Sequence, residues 1–266
     1  MKLTVLCDNN TYIDNYLLGE PALSFYIENG KDKILLDLGY SNVYKVNAKK
    51  LNIDLNNVNK IAFSHGHDDH TRGLKFFDFN ARPTIYYCPG CFEKKKTDTL
   101  MIGSPYSEKV IGSHYEIKEA TKPVEISKNL YYLGPIPRNH LHEKEQSGTY
   151  RLKDNKWVVD YLEDDTALVY VGTEGLSIIT GCSHSGICNI CDYAKQLFNK
   201  KIDLIIGGFH LLNLNEKAVK TIDYLKNENI KDLYPSHCTS LAVKSEMISQ
   251  GLNVKEVGSG LIFEIK

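Results

Sequence analysis

Three apolar or alternating runs open the chain, Leu3–Cys7, Ala22–Glu28 and Lys33–Asp37, and Asn29-Gly30 supplies a tight turn between the last two. Apolar positions then switch to helical spacing over Val43–Leu51, with Ser41 placed to cap that helix. Short buried-type strands follow at Asn59–Phe63 and Pro83–Tyr87. From about 88 to 165 the pattern breaks into Gly, Pro and Ser turns with brief strands at Glu125–Ser127, Leu130–Leu133 and Lys156–Tyr161, and reads as an elaborated insertion. Clean alternation returns afterwards. Ala167–Val171 and Leu176–Thr180 form a hairpin, a helix covers Asn189–Phe198, and a strand Asp203–Ile206 precedes a helix Glu216–Asn227. A strand Asp232–Tyr234, a helix Leu241–Ser249 and closing strands Val254–Val257 and Leu261–Ile265 complete the prediction. Both ends thus carry strand–helix alternation opened by a hairpin. An α/β fold is predicted, with two similar halves packing their sheets face to face as one domain over 1–266.

Composition narrows the function classes. With 42% hydrophobic and 24% charged residues the chain is globular, which excludes wholesale disorder and a polytopic membrane protein. Thirty-two Lys and Arg against 33 Asp and Glu leave a net charge of −1, no footprint for nucleic acid or an anionic membrane, so the expected partner is a small molecule. A homo-oligomer stays open. No run reaches the ~18–20 apolar residues of a spanning helix, and the N-terminal MKLTVLCDNNTY lacks the apolar core of a signal peptide. A cytoplasmic location is the expectation.

Seven cysteines, an odd number, fit reduced thiols. Two CxxC pairs, Cys88/Cys91 and Cys188/Cys191, leave open a shared four-thiolate site or a redox use against plain reduced thiols. Lys94-Lys95-Lys96 reads as a solvated run. Tyr86-Tyr87 and Tyr131-Tyr132 read as core and sheet-face residues, with a pocket for a planar ring as the alternative.

The chemistry concentrates in the nine histidines. His65, His67 and His70 fall within six residues with Asp68 and Asp69, directly after an apolar strand. Three imidazoles and a carboxylate at a strand end make a poor core but good ligands for zinc and its neighbours. Alternation points His65 and His67 the same way, toward one ion; the following turn can bring Asp69 and His70 onto a second. His184, His210 and His237 also sit after strands or at strand ends. Functional groups of α/β sheets gather there, beyond the carboxyl ends.

His65-Gly66-His67-Asp68-Asp69-His70, with Gly73-Leu74 behind it, resembles the HxHxDH signature of the metallo-β-lactamase superfamily. Leu35-Leu36-Asp37-Leu38-Gly39 resembles its strand-end aspartate motif. The resemblance implies a four-layer αββα sandwich with a metal centre at one edge, and gives Asp37 a place behind the ligands, hydrogen-bonded to them. The segments GCSHSG, GGFHL and PSHC resemble the branch that includes the archaeal dihydropterin–ribofuranosylaminobenzene phosphate synthase and its bacterial relatives. Gly134-Pro135-Ile136-Pro137-Arg138 resembles that branch's GEIPR, with Pro135 in place of Glu. Cys182 stands where most of the superfamily has a bridging aspartate, and Glu163-Asp164-Asp165 where it has Gly-His-Thr. The resemblance therefore implies that His184 supplies the missing imidazole. Cys182 either bridges as thiolate or packs, and the second ion is expected to bind more weakly.

The implied centre places one divalent ion on His65, His67 and His184 and another on Asp69, His70 and His237. Zinc is the first expectation, with manganese or iron as alternatives. The implied activity is hydrolysis of a small anionic substrate, a phosphoester, lactone or amide, by metal-activated water. Asp69 would orient that water or take its proton, and His210 would bind substrate or protonate the leaving group. Arg138, with His140 as second donor, is the candidate clamp for the substrate's anion. Two alternatives remain: a transferase acting on a phosphoribosyl donor, and a redox protein using iron and the CxxC pairs. No dinucleotide or flavin fingerprint supports the last.

Overall fold

A computed structural model describes residues 1–78, 81–144 and 148–266. Two large sheets build it. The first has seven strands in the order Ile262–Glu264, Lys2–Cys7, Ser24–Asn29, Asp32–Leu36, Lys60–Ala62, Thr84–Tyr87, Glu116–Glu119. The second has six, in the order Asp232–Ser236, Ile202–Gly208, Leu176–Thr180, Ala167–Val171, Leu130–Tyr132, Val124–Ser127.

Side-chain alternation assigns the layers. Ile34 and Leu36 fall in the same cluster as Leu168, Ile179 and Ile206 from the other sheet, so that cluster is the seam between the two. Their neighbour Leu35 joins Val43, Tyr44 and Ala48 of the helix Val43–Lys50 on the outer face of the first sheet. Ile178 and Ile205 join Ile190, Ala194, Ile222, Leu225 and Met247 from the helices Ile187–Phe198, Glu216–Asn227 and Leu241–Ser249. One-residue steps thus send consecutive apolar residues into different cores, and the result is a four-layer αββα sandwich. Among the described residues no helix is long and apolar enough to cross a membrane.

Several local expectations change. Val254–Val257 is not a strand: Val254 makes one isolated bridge to Leu233, and the rest of the segment has no ladder partner. The helix after Ser41 has Asn42 at its cap position without a side-chain cap; the Ser41 hydroxyl instead accepts from the Val43 amide at 3.3 Å and donates to Glu20. Within 88–165, Glu116–Glu119 joins the first sheet, while Val124–Ser127 and Leu130–Tyr132 join the second. Lys95–Lys96, Tyr150–Lys153 and Lys156–Val159 form a separate small sheet.

Lys95 is not solvated. It is fully buried, its ammonium held by Asp160 at 2.7 Å and Asp164 at 2.9 Å. The CxxC pairs occupy different places. Cys88 lies in the seam and Cys91 on the outer face of the first sheet, whereas Cys188 and Cys191 lie under the helices of the second. A four-thiolate site is thereby excluded, and all seven cysteines are free. Tyr86, Tyr87 and Tyr132 are buried core residues, and Tyr131 packs against Phe198 at a ring distance of 4.8 Å.

Candidate metal centre

The strands Asp32–Leu36 and Lys60–Ala62 run parallel in the first sheet, as do Leu176–Thr180, Ile202–Gly208 and Asp232–Ser236 in the second. Their carboxyl ends lead into Asp37, the 64–70 segment, the 181–184 turn, His210 and His237. The two sheets touch at this edge: the Thr166 amide donates to the Ser64 carbonyl at 2.9 Å. Gly181 lies so close that an added Cβ would stand 2.0 Å from Ser64 Oγ. Any side chain there would push the two halves of the site apart. Asp37, Ser183, His210 and His237 all adopt positive φ, between 47° and 58°, which turns each chain sharply at its strand end.

Hydrogen bonds settle how the imidazoles point. Asp37 accepts from the Ser64 amide at 2.8 Å, from Ser64 Oγ at 2.6 Å and from His70 Nδ1 at 2.7 Å. Since the Ser64 hydroxyl gives its one proton to Asp37, it must accept from His65 Nδ1, 3.1 Å away. His237 Nδ1 likewise donates to Asn9 Oδ1 at 2.9 Å. His65, His70 and His237 therefore carry their protons on Nδ1 and present Nε2 to the centre, the orientation that outer partners impose on metal-bound histidine. Buried His65 Nε2 and His67 Nε2 have no hydrogen-bond partner among the described residues.

Two groups of donors converge. His70 Nε2 lies 3.1 Å from Cys182 Sγ and 3.2 Å from His237 Nε2, and Asp69 Oδ2 is 3.2 Å from His237 Nε2. The His184 ring stands 4.7 Å from that of His65 and 5.0 Å from that of His67. Cys182 is common to the sets Asp69/His70/Cys182/His237, His65/Cys182/His184 and Cys182/His210/Cys238, each with ligand atoms within 4.8 Å of one another. The thiol thus lies within ligand reach of all three sets.

Electrostatics fit a cation. Burial drives His65 well below its usual pKa and His67 down to about 3, so both are neutral lone-pair donors. Burial also opposes charge on His70, but Asp69 and Asp37 outweigh it and raise His70 to about 9, so that a bound cation would take the place of a proton on Nε2. Burial pushes Asp69 up, yet His70 and His237 hold it far below the carboxylate range. Donors of this type and charge suit first-row divalent metals, and among the described residues the Nε2 atoms of His65 and His67 have no partner that could substitute.

A family model for the metallo-beta-lactamase superfamily matches residues 17–198. The chain belongs to this superfamily. Its fold implies divalent metal binding, and the donor clusters described above lie at the sheet edge.

Among relatives of this metallo-β-lactamase-fold chain, the 7,8-dihydropterin-6-methyl-4-(beta-D-ribofuranosyl)-aminobenzene-5'-phosphate synthase of Methanocaldococcus jannaschii is 28% identical over 270 residues. That match covers 94% of this chain and 91% of the synthase. An uncharacterized protein of the same organism, MJ0448, is 29% identical over 253 residues, with 92% and 93% covered. The crystal structure of Tm1679, described as a metal-dependent hydrolase of the beta-lactamase superfamily, superposes with a TM-score of 0.88 at 28% identity, covering 100% of this chain and 99% of that one.

The remaining candidates divide. His210 lines the cavity over the centre, of about 810 Å³, with its ring 4.2 Å from that of His184. Arg138 and His140 are engaged elsewhere: the guanidinium donates to the Leu162 carbonyl, and His140 Nε2 meets Asp192 at 2.7 Å. Neither is among the residues lining the cavity. None of the four paired tyrosines lines it either.

Other residues of the site are not picked out by any motif in the local sequence. Asp164 accepts from the Gly66 amide at 2.8 Å, and Asp165 from the Ser185 amide at 2.9 Å, so two adjacent acids each hold one histidine-bearing segment. Asp8 accepts from the His237 amide at 3.0 Å, and Cys238 Sγ from the His210 amide at 3.3 Å. The one available hint is the acidic pair 164–165 directly before an apolar strand, where surface charge has little reason to be.

Proposed function

We propose that this chain is a metal-dependent hydrolase that holds divalent ions, zinc by the donor set, on His65, His67 and His184 and on Asp69, His70 and His237, with Cys182 between them. One observation carries the reading: His65 and His67 aim buried, partnerless Nε2 atoms at a junction shared with Asp69, under an open cavity. Metal held there supplies Lewis acidity, which acidifies water and stabilises charge on the attacked group. The chain's own residues supply orientation. Asp69 is kept ionised at the cavity floor and can accept a proton from the attacking water or hold that water in line. His210, in the same wall, is placed to bind the substrate or to protonate the departing group. Asp37 and Asn9 fix the Nδ1 tautomers of His70 and His237, so the Nε2 lone pairs need no reorientation.

The transferase alternative draws on the 28% identity to the archaeal synthase. It would use the same centre but would have to exclude water while a phosphoribosyl donor reacts. Elemental analysis of freshly purified protein, followed by phosphodiester, phosphomonoester and lactone substrates, tests the hydrolase reading. Bound divalent metal and turnover of at least one class, both lost in His67→Ala, are the expected results. Full metal content in His67→Ala would refute the ligand assignment. Turnover of a phosphoribosyl donor with an aromatic amine, and of none of the esters, would favour the transferase.

A further inference from the structure

One lysine stands in the wall of the cavity over the centre. Lys244, one turn into the helix Leu241–Ser249, is the only lysine or arginine among the described residues that line it. It is half-buried, and no hydrogen bond or ion pair to any described residue holds its ammonium. The acid that acts on it most strongly, Asp8, is already committed. Asp8 Oδ1 accepts from the Asn10 amide and side chain at 2.9 and 3.2 Å, and Oδ2 from the His237 amide at 3.0 Å. Burial lowers the Lys244 pKa, and Asp8 and Cys238 together offset only part of that. The contrast with Lys95 is direct, since two carboxylates answer the Lys95 charge inside the fold. A cation drawn partly out of water with no ion pair among the described residues gains stability from a ligand that supplies the opposite charge.

A second donor faces the same space. Asn9 also lines the cavity, and its Oδ1 is fixed by His237 Nδ1, which leaves the amide Nδ2 as a donor. The cavity wall is also apolar at Leu162, Leu212 and Leu241.

We propose that Lys244 and the Asn9 amide seat an oxyanion of the substrate, a phosphate or carboxylate carried apart from the bond that is broken, with the substrate's apolar body against the three leucines. The proposal rests on the cavity being the active site of the hydrolase described above, and it moves the anion-binding role from Arg138 to Lys244.

Calorimetric titration of the full-length protein as purified, at about 20 mM ionic strength to limit screening, tests it with two probes: inorganic phosphate and propionate. Wild type, Lys244→Ala and Lys244→Arg are compared at metal contents matched by elemental analysis. Any affinity of the metal centre itself for the probe is then common to all three. The wild-type preference between probes distinguishes phosphate from carboxylate. Affinity for the preferred probe should fall about tenfold in Lys244→Ala and stay within about threefold in Lys244→Arg, which keeps the charge. Lys244→Gln, which keeps length without charge, repeats the measurement if the alanine variant does not fold. Equal affinity in wild type and the uncharged variants, or no wild-type binding of either probe, would overturn the proposal. Failure of the hydrolase reading shows elsewhere, as a metal-loaded wild type that turns over no ester, and leaves the difference between variants unaffected.

Discussion

Asp164 accepts the amide of Gly66 at 2.8 Å across 98 residues of sequence. The same carboxylate takes the buried Lys95 ammonium, whose other partner is Asp160. The segment bearing His65 and His67 is thus pinned to a fully buried ion triad. Gly66 must be small for this contact to form, because a Cβ there would stand 1.9 Å from the Cys91 carbonyl oxygen. Removing Asp164 leaves the buried Gly66 amide without its acceptor and Lys95 with one carboxylate in place of two, a loss of two charge-assisted hydrogen bonds worth about 1.5–3 kcal/mol each. Asp164→Ala should therefore lower unfolding free energy by about 3–5 kcal/mol in urea denaturation. A loss below about 1 kcal/mol would put the triad in the class of surface pairs.

The same residue sets a pH dependence. Burial pushes the Asp164 carboxyl up, but Lys95 and the Gly66 amide outweigh it and hold its pKa below the usual value in the folded chain. A depressed folded pKa means stability that is fully present above the ordinary carboxylate range, near pH 4, and lost as pH falls through the folded value. Urea midpoints taken from pH 6 down to pH 3 should fall on the acid side in wild type. The fall should be shallower in Asp164→Ala; parallel curves would assign the acid limb to other carboxylates.

Asp37→Asn tests the orientation of His70. The asparagine can still accept from the Ser64 amide, but an amide nitrogen turned toward His70 Nδ1 would favour the opposite tautomer and put a proton on Nε2, where a ligand lone pair is needed. Metal affinity should drop by about 10–100-fold in chelator competition. Unchanged affinity would mean that packing alone orients the ring.

Cys182 sits between the two donor groups. Replacing it with Asp would supply a hard carboxylate at that junction, and if the proposed second ion is the weaker one it should bind tighter, with two ions per chain by elemental analysis. If Cys182→Asp leaves both stoichiometry and affinity unaltered, the Sγ contributes no bond to either ion.

Much of this architecture was legible in short stretches of chain. Ile34, Leu35 and Leu36 alternate between two cores because successive strand residues face opposite ways, and that periodicity is written in the sequence. The hairpin Ala167–Val171/Leu176–Thr180 and the helices Glu216–Asn227 and Leu241–Ser249 form as their patterns predict. Val254–Val257 does not, because strand propensity without a neighbouring ladder gives only a single bridge. Lys95 departs from its local pattern for a related reason. A lysine between two others looks solvated until the acids 65 and 69 residues away are brought to its ammonium.

By itself the sequence determined the strand–helix alternation at the two ends of the chain, the alternation of facing within its strands and the clustering of His65, His67, Asp69 and His70, because strand alternation and a tight turn act over a few residues. Tertiary structure alone decided that His184 meets His65, that Asp164 and Asp165 each hold one histidine-bearing segment, that Arg138 is spent on a backbone carbonyl, and that Lys244 faces the cavity. Those contacts depend on how the two sheets stack at their carboxyl edges, and no local pattern encodes the relative placement of strand ends a hundred residues apart.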